Sequence, residues 1–231
     1  MDTLETSITA THEVLAARLA TAEARMPTLA RPRDQYPATD TFLASVSRHN
    51  SAANAVLVPL VRKRLPKGHA RAAEFVHQSK RMERALFQVK AKLYGSSYAI
   101  RIPWPEVWAE ARREFEATWE LEHRIVDELA LLLRAPERHR IAEAMYVAEL
   151  RAPTRPHPFV PHQGVTGKVA RRVARQIDRF WDATEGRMIP EPVRTHDREH
   201  QGRLTQYLLA DPHLPDEPPD SPKLPPPRES D

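Results

Sequence analysis

The chain has 231 residues, a formal charge of +4, 22 prolines, 6 glycines and no cysteine. Disulfides, thiolate metal sites and cysteine nucleophiles are therefore excluded. No apolar run is long enough to span a bilayer and the acidic N-terminal stretch lacks a signal-peptide core, so a soluble, cytoplasmic protein without a membrane span is the expectation. The positive charge sits on arginines spread along helix faces, which makes no clear case for nucleic acid.

Residues 4–26 carry Leu4, Ile8, His12, Leu15, Leu19 and Met26 on one helical face, closed by Pro27. A Pro-rich connection follows. Asp40 is placed to cap a second helix running to Arg64, whose stripe is Phe42, Val46, His49, Ala53, Leu57 and Leu60. Pro59 inside it predicts a bend rather than an end. A third helix from His69 to Tyr94 bears Ala72, Val76, Ser79, Glu83, Leu86 and Leu93, and Gly95-Ser96-Ser97 terminates it.

The fourth helix, Trp104 to Leu133, is the longest amphipathic stretch. Trp108, Ala111, Phe115, Thr118, Glu122, Val126 and Leu129 recur at helical spacing, so Glu122 points at the core. Ala135-Pro136 breaks the chain before a shorter helix over 137–151 with Ile141, Met145 and Ala148 on one side. A Pro-rich strap over 151–164, containing His157 and His162, leads to a last helix over 165–184 with a basic face.

These elements predict an all-α fold: an up-down four-helix bundle with additional C-terminal helices, in one domain over 1–190. A Pro-rich, largely disordered tail over 191–231 is expected to follow.

Four successive helices each place one ligand-type residue on an apolar stripe: His12, His49, Glu83 and Glu122. A lone carboxylate or imidazole in a core is usually satisfied by a protein partner. Four at comparable depth point instead to a metal ion, since imidazole and carboxylate are the donors that helical bundles offer to borderline and harder metals. Two Glu-x-x-His strings, ending at His77 and His123, place their imidazoles about 80° off the stripes and carry less weight. The string His196-Asp-Arg-Glu-His200 is best read as surface charge.

Several segments together resemble bacterial hemerythrin-like proteins of the HHE cation-binding group. They are Ser47-Arg48-His49 with VLVPLVRKRLP after it, LYGSSYA at 93–99, EVW at 106–108 with LEHRIVDEL at 121–129, and PTRPHPFVPH at 153–162. The likeness covers about residues 40–190. It implies an up-down four-helix bundle holding a non-haem di-iron centre through His and Glu/Asp, and oxygen, nitric oxide or peroxide handling or iron sensing, with a small gaseous or peroxide ligand as partner.

The family pattern would place a His at 118 and a Glu at 53, where this chain has Thr118 and Ala53, and Glu83 stands where a His is expected. The resemblance with these departures therefore implies an altered iron site, mononuclear or dinuclear, or a metal-free bundle that has become an interaction or regulatory module.

Overall fold

The computed structural model describes residues 3–25, 34–96, 101–156 and 190–195. They form five helices: α1 (Thr3–Ala24), α2 (Tyr36–Arg64), α3 (Gly68–Leu93), α4 (Trp104–Leu132) and α5 (Ala135–Leu150). There is no strand among the described residues. None of these helices is long and apolar enough to cross a membrane. The strap histidines His157 and His162, the last helix over 165–184 and the tail from 196 lie outside the described residues.

The first four helices form an up-down bundle, and side-chain pairs between them fix the directions. His12 meets His49 and Arg18 meets Ser45 between α1 and α2. Asn54 meets Ser79 and Tyr94 meets Asp40 between α2 and α3. Arg71 meets Glu128 and Arg81 meets Glu114 between α3 and α4, while Glu23 pairs with Arg112 between α1 and α4. In the first three cases one number rises as the other falls, and the His12–Glu122 pair shows the same for α1 and α4, so every neighbouring pair is antiparallel. The tight α2–α3 turn leaves its two helices no other arrangement.

Helix ends follow local chemistry. Pro37 and Pro105 sit in first turns, where a missing N–H costs nothing. α2 thus starts at Tyr36, four residues before the expected cap at Asp40. Asp40 instead accepts a hydrogen bond from the Tyr94 hydroxyl at 3.0 Å. The helix continues through Pro59. At the junction of α4 and α5, Arg138 donates to the carbonyls of Ala130 and Leu133, which the end of α4 leaves without helical partners.

α5 is the element that departs from a plain bundle. It runs antiparallel to α2, from the Arg64–Glu137 pair to the His49–Glu149 pair, and also packs on α1. Residues 190–195, which composition assigns to the tail, lie beside it. The Pro190 carbonyl accepts from Arg48, and Arg194 pairs with Glu143 at 2.8 Å and stands over the Tyr146 ring. Residues 42–50 of α2 are consequently all buried. A single stripe does not anticipate this, because α5 covers the side of α2 that would face water in a four-helix bundle.

The apolar core is in two parts. Leu4, Ile8, Leu57, Phe75, Val126, Leu129 and Met145 belong to one, and Leu15, Leu19, Phe42, Met82, Leu86 and Trp108 to the other. Between them runs a buried polar layer of His12, His49, Asn50, Ser79, Glu83, Glu122 and Glu149.

The α2–α3 turn is the tightest junction. Lys67 has φ 53°, and a Cβ at Gly68 would run into the carbonyl oxygens of Val61 and Arg62. Those are backbone atoms and cannot swing aside. Gly68→Ala is expected to lower the unfolding free energy by about 1–3 kcal/mol in urea denaturation, as overpacking does elsewhere.

Candidate metal centre

The polar layer converges on Glu122. Its Oε2 lies 3.2 Å from His49 Nε2 and 3.4 Å from His12 Nε2, and the two imidazole nitrogens are 3.1 Å apart. The three side chains are almost completely buried, Glu122 at 1 % exposure. Three of the four residues singled out by periodicity thus meet. The fourth, Glu83, is on the buried face of α3 as expected, but its Oε1 lies 3.5 Å from Asn50 Nδ2 and it stands outside the trio.

This spacing is what one ion would need. With ligand bonds of about 2.1 Å, neighbouring donors are about 3.0 Å apart around an octahedral ion and about 3.4 Å apart around a tetrahedral one. The trio could therefore hold a metal ion between His12, His49 and Glu122 with little rearrangement. Two imidazoles and one carboxylate leave further coordination positions open.

A second layer orients the first. Glu149, from α5, takes His49 Nδ1 at 2.8 Å, which turns Nε2 toward Glu122. Arg48 and Arg18 add positive charge near Glu149. The His12 ring packs beside Trp119 and His123, with centroids 4.8 and 5.1 Å away, and Trp119 stacks on His123. Periodicity puts His123 off the stripe, yet it stands at the edge of the site.

Glu149 could have been found in the sequence. It lies four residues after Met145 and eight after Ile141, on the same face of α5. Asn50 could have been found in the same way, since it lies four residues after Val46 and seven before Leu57 on the stripe of α2 that faces α3.

Thr118, placed where a ligand histidine was expected, lines the site without serving it. Its hydroxyl donates to the Glu114 carbonyl at 2.7 Å and accepts from Gln78 at 3.3 Å. Nearby Glu114 is a separate buried carboxylate. Burial opposes its ionisation, but Arg81 at 2.6 Å and Gln78 at 2.9 Å outweigh that and hold it below the usual carboxylate range.

A cavity of about 10 Å³ adjoins the trio. That is near the minimum that holds one water. Its polar wall is His12, His49, Asn50, Thr118 and Glu122, and its apolar wall includes Val46, Met82 and Phe115. Such a space admits about one water molecule. An organic substrate would require the helices to part.

Without an ion, the cluster's charge is arranged around His49. Burial pulls its pKa down, but Glu122 and Glu149 outweigh burial and raise it to about 10. Glu122 is driven far below the usual range, because the two imidazoles overcome the burial that would keep it protonated. His12 goes the other way: burial lowers its pKa, and Glu122 offsets this only in part.

In comparisons with known proteins, no family model matches the chain, and neither a curated protein nor a solved structure matches it.

Three outcomes are expected of the centre. A metal must displace the proton from His49 Nε2 below pH 10, so apparent metal affinity should tighten as pH rises from 6 to 9, with proton release measurable in weakly buffered calorimetry. For the metal-free protein the sign is opposite. The His49 contribution is fully present below about pH 6.5 and is lost as pH rises through about 10, so its melting temperature should fall over that range. Glu149→Gln should weaken metal binding by about 10- to 100-fold, the usual cost of losing an outer partner of a ligand histidine.

Proposed function

We propose that this chain is a hemerythrin-like bundle that binds one non-haem iron through His12 Nε2, His49 Nε2 and Glu122 Oε2. It would handle or sense iron or a small ligand such as oxygen, nitric oxide or peroxide. The observation that carries the reading is the triangle of donor atoms with sides of 3.1, 3.2 and 3.4 Å. Two imidazoles and a carboxylate with open positions are the donor set of mononuclear non-haem ferrous centres. Zinc uses a similar set, so metal identity rests on the experiment. When bound, ferrous iron would supply a site for a small ligand. The residues around it would exclude bulk water and admit only a molecule that fits the cavity.

This reading assigns no ligand role to Glu83, which faces Asn50, and needs none from position 118. It favours one metal over two, because only three donor atoms converge among the described residues.

A metal-free interaction module is the second reading. It is favoured by the hydrogen bonds that join His12, His49, Glu122 and Glu149 without an ion. The two are separated by anaerobic reconstitution with ferrous iron, desalting and elemental analysis. Wild-type protein and Glu83→Ala should retain about one iron per chain, whereas His49→Ala and Glu122→Ala should retain little. The loaded protein should also melt at a higher temperature, since an ion that binds only the folded state stabilises it. Retention of no metal, with a melting temperature indifferent to iron, zinc and chelator, would support the module and refute the iron reading. Uptake of zinc in preference to iron would replace iron in it.

A further inference from the structure

We infer that Asn50 is a ligand-selecting residue: its side-chain carbonyl accepts a hydrogen bond from a protic oxygen ligand, water first of all, held at the open position of the metal. The inference rests on the metal reading above and names the chemical class of the ligand.

Asn50 is 3 % exposed and lines the cavity beside the trio. The orientation of its amide is not arbitrary. Nδ2 lies 3.2 Å from the Ser79 carbonyl oxygen and 3.5 Å from Glu83 Oε1, both acceptors, so the nitrogen must face α3. Turning the amide over would set its oxygen against two other oxygens. Oδ1 is thereby held on the other side of the amide, buried and with no hydrogen-bond partner in the protein.

A buried amide carbonyl without a donor is destabilising, because it has given up its hydrogen bonds to water and gained none in return. The unpartnered Glu122 Oε1 can join Oε2 on the same ion. Asn50 Oδ1 has no such outlet among the protein groups around it. The cavity has room for about one water-sized molecule, and that molecule is what could donate to it. A ligand bearing a proton on oxygen satisfies Asn50 and binds the metal at once. Nitric oxide and dioxygen have no proton to give, so they must displace that ligand and leave Oδ1 orphaned again.

Asn50→Leu removes the acceptor at similar volume. In ferrous-loaded protein it should tighten nitric oxide binding by about three- to tenfold, the equivalent of one ordinary hydrogen bond lost from the resident water. Because the variant also loses the contacts to Ser79 and Glu83, a measurement on the wild-type chain stands beside it. Cobalt-loaded wild-type protein in ¹⁷O-enriched water should show broadened cobalt resonances from a retained water. Metal-loaded protein with no ¹⁷O broadening, or with nitric oxide affinity unchanged in the variant, overturns the assignment and leaves the metal site standing. A tenfold or greater loss of iron affinity in Asn50→Leu would make Asn50 a ligand and also overturns it. A wild-type chain that takes up neither iron nor cobalt overturns the metal reading and this inference together.

Discussion

A carboxylate held between two imidazoles inside a helical core is the constraint on which this molecule depends. An isolated ionised Glu122 at that depth would cost several kcal/mol, and its partners have to come from other helices. His49 comes from α2 and His12 from α1, and both must arrive at the level of Glu122 on α4. That requirement fixes the mutual heights of three helices. It also explains why the apolar core is in two parts, since the polar layer passes between them. α5 follows from the same demand, because His49 Nδ1 would be a buried donor without an acceptor unless Glu149 were brought to it.

The enclosure of this cluster determines the chemistry it can support. Leu15, Val46, Met82 and Phe115 surround one side of the cavity, so charges inside it are weakly screened and the room is molecular rather than polymeric. A centre of this kind discriminates by size and by hydrogen bonding rather than by shape complementarity to a large substrate. Glu149 orients His49, and Asn50 lines the cavity. The Thr118 hydroxyl is committed to the α4 backbone.

Much of this was legible in the sequence. The 3.6-residue stripes located all five helices to within a few residues, and they put His12, His49, Glu83 and Glu122 on buried faces. Counting residues from the turns placed His49 and Glu83 at matching heights, and Asn50 does touch Glu83. What escaped has one physical origin. Periodicity assigns each helix a single buried side, whereas α2 is covered on several, by α1, α3, α5 and residues 190–195. Arg48 is buried for that reason, against the Pro190 carbonyl. His123 lies off the α4 stripe, yet it stacks on Trp119 and both rings pack against His12. Thr118 looked like the decisive departure from the resembling family, yet the triangle closes without it.

The most direct test of the central claim is anomalous scattering at the iron edge from crystals of the iron-reconstituted protein. The account predicts one strong peak about 2.0–2.2 Å from each of His12 Nε2, His49 Nε2 and Glu122 Oε2, with Glu149 retained on His49 Nδ1. No peak at that position, or iron bound only at surface carboxylates while the His12–His49–Glu122 triangle stays as it is, would contradict it.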